Sequence, residues 1–297
     1  MAVGRVVLVA GILILLFIPY LLWGTGLQTA RSQAVLRSEF AAVQHRVGEG
    51  AVKRPAAPPK HATFTPPALA PAMADPAVGA PVGVIDIPKI GLDMVVIEGT
   101  GTAQLQQGPG HYPGTPLPGQ QGNVAIAGHR TTYLHPFYNL NELSPGDSIL
   151  ITTVQGEFLY QMTSNQVVSP SDVAVVDATT TPQLTLTTCN PRYSASTRLV
   201  VHAALVASVL AHPKTPVVTT KVPAKPSRVD SAAPSKNWFA AIALGIVVVI
   251  VITGVWIAAR KTRRSQRATV IVFGLLAWLV VVFFFFEALA PLLPASF

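Results

Sequence analysis

The chain has 297 residues, 50% of them hydrophobic and 11% charged, with a formal net charge of +8, 26 prolines and one cysteine. One cysteine excludes an intramolecular disulfide, so an exported fold must be held by burial and hydrogen bonding alone. The positive balance does not point to nucleic acid, because the basic residues gather in one short loop and two Pro-rich segments, with no aromatic-interleaved basic surface.

Residues 6–23 (VVLVAGILILLFIPYLLW) are 18 residues without a charge, close to the roughly 20 that span a bilayer as helix. This run is longer than the roughly 7 to 15 residues of a signal-peptide core. No A-x-A cleavage site follows in GTGLQTARS, so it reads as an uncleaved anchor, residues 1–23. Pro19 lies near its outer end, where a kink leaves few backbone groups unsatisfied. Residues 24–54 form a juxtamembrane segment. Val35, Leu36, Phe40 and Val43 recur there at near-helical spacing, which predicts a helix over 28–46. Residues 55–81 are dominated by Pro and Ala and carry neither a helical nor a strand period, the composition of a semi-rigid tether with no core face.

Residues 82–210 have the size of one ordinary domain, large enough to bury a core without staples. Eight segments there read as strands: VGVIDIP, MVVIEG, NVAIAG, DSILITTV, GEFLYQMTS, DVAVVDA, QLTLTTC and RLVVHAALVASV, separated by Gly, Pro, Asn and Asp. No long amphipathic helix competes with them. The pattern predicts a mainly β domain, an antiparallel barrel or sandwich.

Residues 211–237 (from AHPKTP to PSKN) read as an extended linker. Two further apolar runs follow, 238–259 and 268–286, of 22 and 19 residues. Between them the loop 260–267 (RKTRRSQR) carries five basic residues, which by the positive-inside rule places it in the cytoplasm. The expected protein is therefore a multi-pass cell-membrane protein, with the β domain outside, Arg5 inside and a tail, 287–297, outside. Glu287 then faces headgroups. The partner implied by these runs is a lipid membrane, not nucleic acid.

In QLTLTTCNPR, side chains alternate: Leu184, Leu186 and Thr188 share one face, while Thr185, Thr187 and Cys189 share the other. Cys189 therefore caps a polar row at a strand end, where a scaffold can present a nucleophile. An inert thiol is the competing reading. A thiol that does acyl-transfer chemistry near neutral pH needs an activating base and an oxyanion donor. Among seven histidines, His129 directly follows the strand NVAIAG and is flanked by Gly128 and Arg130. His111 reads as a turn residue, His135 precedes a proline, His202 is inside a strand, and His45, His61 and His212 fall in the segments flanking the domain. Arg198 opens the strand RLVVHAALV and can approach Cys189 if that strand pairs with QLTLTTC. Arg192, mid-loop, competes for the oxyanion role.

The segment TLTTC, Arg198 after eight further residues, and AGHR upstream together resemble the sortases, membrane-anchored cysteine transpeptidases of Gram-positive bacteria. The agreement covers nearly all of residues 82–210, including IDIPKIGL, GPGHYPGTPLPGQQGNVAIAGHRTTY and LSPGD. GPGHYPGT, HRTTY and TLTTCNP look most like class E. The resemblance implies an eight-stranded sortase β-barrel, a site of Cys189, His129 and Arg198, and no metal or other cofactor. It also implies substrate contacts at Tyr133, Thr187 and Thr188, with Tyr133 matching a tyrosine linked to preference for LAXTG over LPXTG signals. Implied partners are secreted proteins with C-terminal sorting signals, cleaved between Thr and Gly, and an amine of peptidoglycan or its lipid-linked precursor. The two C-terminal spans depart from the family's usual single N-terminal anchor.

Other classes fit less well. An L,D-transpeptidase would carry SHGC, whereas Thr188 precedes Cys189 here. A zinc site needs ligands at short spacing, which one cysteine and scattered histidines do not supply. A catalytically silent scaffold on the same fold remains the non-enzymatic alternative.

Overall fold

The computed structural model describes residues 2–47, 67–210 and 238–289. The end of the juxtamembrane segment, residues 55–66 of the expected tether, the 211–237 linker and the tail beyond residue 289 lie outside the described residues. The chain forms two compact units, one helical and one built on strands.

The helical unit holds α1 (Ala2–Pro19), a π-helical turn (Tyr20–Gly24), α4 (Trp238–Lys261) and α5 (Arg267–Leu289). Both α4 and α5 are long and apolar enough to cross a membrane and bury little of their surface within the unit. Tyr20 packs its ring against Phe283 and Phe286, at centroid distances of 5.5 and 5.6 Å. At the far end of α4, Arg260 stacks 3.6 Å over Trp256, an aromatic and a cation side by side where an apolar helix ends.

The second unit begins at Gly26, one residue into α2 (Thr25–Val47), and contains all the strands among the described residues. In chain order these are β1 (Pro81–Ile87), β2 (Leu92–Glu98), a single helical turn α3 (Thr102–Leu105), β3 (Gly110–His111), β4 (Asn123–Ala127), β5 (Ser148–Thr153), β6 (Gly156–Val168), β7 (Gln183–Asn190) and β8 (Thr197–Leu210). They close into an eight-stranded barrel in the order β1-β2-β3-β4-β7-β8-β6-β5. Closure gives every strand a neighbour on both sides over at least part of its length. Inward side chains, among them Ile85, Ile87, Val124, Ile126, Phe158, Tyr160, Leu184 and Leu186, form one core.

Three expectations change. The segment DVAVVDA is not a strand: Val173–Val176 is a short 3-10 turn with local hydrogen bonds, Val173 N–H to Ser171 and Asp177 N–H to Ala174. Its carbonyls at Val175 and Asp177 are taken instead by the Asn123 side chain. The eighth strand is the two-residue β3, too short to carry a periodic signal. Nor is the barrel wholly antiparallel, since β2 pairs with β3, and β4 with β7, in parallel.

The third change concerns the tether. Residues 67–80 lie along the barrel: Ala70 is buried in the core, its N–H donating to Gly119 at 2.8 Å. The carbonyl of Pro71 accepts from Gln120 and Gln155, and that of Ala68 from Ser208. Composition misled because small residues such as alanine fit a shallow groove without any hydrophobic period.

Helix α2 also belongs to the domain. Leu36 packs on Val95 and Ile97, the outward side chains of β2, which explains why MVVI is apolar without alternation. Because β3 reaches only Ile97 and Glu98, Val95 lacks a strand neighbour on that side. Gln33 replaces it: its Oε1 accepts from Val95 N–H at 2.7 Å and its Nε2 donates to Val95 C=O at 3.0 Å.

Candidate active site

Leu184 and Leu186 fix β7 with one face inward. The opposite, polar face is also covered. Thr185 donates to Asn123 Oδ1 at 2.7 Å and lies 3.0 Å from His202 Nδ1, and Thr187 pairs with the Tyr112 hydroxyl at 3.0 Å. Only at Cys189 does the cover stop, and this thiol is half-buried.

Two strand registers converge there. Along the parallel β4–β7 pair, Asn123 faces Gln183 and Ala127 faces Thr187. The ladder runs on as Gly128 N–H donates to Thr187 C=O at 3.1 Å and the Thr188 hydroxyl donates to Gly128 C=O at 2.8 Å. The next step brings the His129 backbone level with Cys189. On the other side, antiparallel β8 places Arg198 directly opposite Cys189.

His129 is set by a tight turn. A Cβ on Gly128 would stand 2.6 Å from the Phe137 ring, so only glycine fits, and Phe137 N–H donates back to His129 C=O at 3.1 Å. Burial pushes the imidazole down to about 4, so it is neutral at neutral pH. Its Nε2 is buried with no hydrogen-bond partner among the described residues. The Tyr133 ring lies 5.0 Å away, tilted by 36°.

Arg198 uses one nitrogen, Nη1, to donate to Ala195 and Thr197 carbonyls at 2.9 and 3.1 Å. Among the described residues Nε and Nη2 take no partner, which leaves them for a ligand oxygen. Arg192, by contrast, is committed elsewhere. It donates to Tyr138 C=O, Asn139 Oδ1 and Asn141 Oδ1, and stacks 4.1 Å over the Tyr138 ring.

Arg130 is the residue that pattern reading passed over. Buried beside the site, it donates through Nη1 to the Cys189 carbonyl at 3.1 Å and to Asn190 Oδ1 at 2.6 Å, and through Nη2 to Asn141 Oδ1 at 2.9 Å. Burial and the nearby Arg192 charge lower its pKa, while Cys189 opposes that shift. The only available signal was its adjacency to His129. Thr187 and Thr188, expected to contact substrate, have their hydroxyls engaged in the bonds described above, so they brace the strand that carries the thiol.

Residues 85–206, which include Cys189, His129 and Arg198, match the family model described as the sortase domain. The chain belongs to the sortase family. Sortase SrtE1 of Streptomyces coelicolor is 31% identical over 221 residues, 69% of this chain and 56% of that protein. Sortase D of Bacillus subtilis is 32% identical over 117 residues, 39% of this chain and 58% of the relative. This sortase thus spans somewhat over half the length of the curated relatives it matches. Among solved structures, sortase E from Streptomyces avermitilis is 38% identical, covering 46% of this chain and 97% of that one, at a TM-score of 0.41.

Proposed function

We propose that this sortase is a membrane-anchored cysteine transpeptidase of class E type. It cleaves an LAXTG- or LPXTG-type sorting signal between Thr and Gly and transfers the protein to a cell-wall amine. The observation that carries this reading is the convergence of two strand registers on Cys189, with His129 level on one side and Arg198 opposite on the other. Sγ of Cys189 attacks the threonine carbonyl carbon as its proton passes to the neutral His129 imidazole, and Arg198 donates to the oxyanion. Collapse breaks the Thr–Gly C–N bond, His129 returns the proton to the leaving amine, and a thioester remains on Cys189. An incoming amine of peptidoglycan or its lipid-linked precursor then gives its proton to His129, forms the new amide and releases the thiolate. Tyr133, beside His129, is the residue best placed to meet the substrate.

A peptide assay on the full chain in detergent tests this. Wild type should cleave LAXTG- or LPXTG-type peptide and form an amide with an added amine, and Cys189→Ala should form no thioester. Wild-type protein inert toward both peptides would leave the silent scaffold as the correct reading.

The proposed setting is the cell membrane, crossed by α1, α4 and α5, with the barrel outside and the basic loop 260–267 in the cytoplasm. In a Cys189→Ala background, Ser296→Cys should be labelled by an impermeant reagent in intact cells, and Ser265→Cys only after permeabilisation. The opposite pattern would overturn this topology.

A further inference from the structure

Each of the three residues at the proposed centre has a polar neighbour in sequence: Arg130 follows His129, Asn190 follows Cys189 and Thr197 precedes Arg198. The side chains of these three neighbours are bonded to one another. Asn190 Oδ1 accepts from Arg130 Nη1 at 2.6 Å, Asn190 Nδ2 donates to Thr197 Oγ1 at 3.1 Å, and the Thr197 hydroxyl donates to the Asn190 carbonyl at 2.8 Å. Chemistry fixes this order, because a guanidinium only donates: the amide must turn its oxygen to Arg130 and its nitrogen to Thr197.

The same guanidinium completes a ladder. Gly128 N–H donates to Thr187 C=O, and in parallel pairing the bond two residues on would run from Arg130 N–H to Cys189 C=O. The Arg130 side chain makes that bond instead, Nη1 reaching the carbonyl at 3.1 Å while Nη2 holds Asn141 Oδ1 at 2.9 Å. All three acceptors are neutral oxygens, and among the described residues no carboxylate pairs with this buried charge. Burying a cation without a counter-charge is costly. A methionine would fill the same space without that cost, so what Arg130 contributes is its donors.

We propose that Arg130 is a positioning residue for Cys189, pinning its carbonyl directly and tying its strand end, through Asn190 and Thr197, to the strand that carries Arg198. The inference rests on the transpeptidase reading above, in which Sγ and the Arg198 donors must reach the carbon and the oxygen of one carbonyl group together. Arg130 acts through the backbone of Cys189 and not on the reacting atoms.

The test uses the full chain in detergent with Arg130→Met, Arg130→Lys, Asn190→Ala, Thr197→Val and the double variant of Arg130→Met with Asn190→Ala. Arg130→Met should lower kcat on the order of 10-fold, with KM held within about twofold because no substrate contact is removed. Arg130→Lys, which restores donors without the planar fork, should recover part of that loss; a side chain that only filled space would be replaced as well by Met as by Lys. Asn190→Ala and Thr197→Val should show weaker defects of the same kind. The double variant should be no worse than Arg130→Met, since both changes cut one link. Cys189 is the single thiol in the chain, so a nitroxide attached to it reports this strand end without any turnover. Its spectrum should be mobile in Arg130→Met and restrained in wild type, with Arg130→Lys between them. An unchanged kcat, a Lys variant no better than the Met variant, defects that multiply in the double variant, or equal nitroxide mobility in wild type and Arg130→Met would overturn the proposal. If wild type turns over no peptide, the transpeptidase reading fails, and the nitroxide spectra alone then decide whether Arg130 holds the strand end of the thiol. Should Arg130→Met fail to fold, Asn190→Ala and Thr197→Val carry the same expectations in reduced size.

Discussion

Cys189 and Arg198 are cross-strand partners, paired residue to residue in the antiparallel β7–β8 ladder. The arginine nearest in sequence, Arg192, is instead bound to residues 138–141 and stacked on Tyr138. Arg198→Lys should therefore cut kcat on the order of 10²-fold, because an ammonium does not reproduce the planar donor array at the oxyanion. Arg192→Ala should keep kcat within a few-fold and lower the melting temperature by a few degrees, for the loss of about 1 kcal/mol of loop contacts. Inverted results in folded proteins would assign the oxyanion role to the loop.

Acid should destabilise the barrel unit through His129. Its folded pKa, about 4, lies below the ordinary 6.5 because burial disfavours the imidazolium. Above 6.5 both folded and unfolded imidazoles are neutral and nothing is lost. As pH falls from 6.5 toward 4, the unfolded chain takes up the proton first, so stability declines; below about 4 the loss levels off. His202, lowered by burial as well, acts in the same direction. Urea midpoints at pH 7 and pH 5 should differ more in wild type than in His129→Gln. Equal differences would place the acid sensitivity elsewhere.

Truncation should expose what the Pro/Ala composition hides. A chain beginning at Val82 loses Ala70 from the core, the Pro71 carbonyl that Gln120 and Gln155 use, and the whole of α2. It should melt several degrees below a chain running from Gly26 to Leu210 and aggregate on concentration. Indistinguishable melts would mean that residues 26–81 rest on the domain without stabilising it.

Glu98 and His111 form a buried pair that closes the short β3, with Nδ1 2.8 Å from Oε2 and Nε2 within 3.0 Å of the Thr115 hydroxyl and the Pro116 carbonyl. Replacing His111 by Phe leaves a carboxyl group in the interior without its partner and should cost about 3 kcal/mol in denaturant unfolding. Pairing that change with Glu98→Leu should recover part of the loss. A double variant weaker than either single one would refute this account.

The register that sets Arg198 opposite Cys189 was readable because strand alternation places Cys189 with the threonines and Arg198 at the mouth of the next strand, and both follow from period two. The closed barrel followed from strand spacing together with the resemblance. Less accessible was anything fixed by one polar side chain. Arg130 clamping the Cys189 carbonyl, His111 inside the barrel wall and Gln33 beside Val95 leave no periodic trace. The segment VAVV has the composition of a strand, yet Asn123 claims the carbonyls a strand would need for its ladder. The breakers of GPGHYPG point His111 to a turn, whereas in the fold they surround a strand of two residues, Gly110–His111.

The substitution of a glutamine for a neighbouring strand at Val95 leaves that amide proton guarded by a single side chain. An amide bonded within a strand ladder is released to solvent only when that ladder opens, whereas this one is released whenever α2 lifts. Deuterium uptake at this one position therefore clocks the departures of the juxtamembrane helix, independently of substrate, acceptor or turnover.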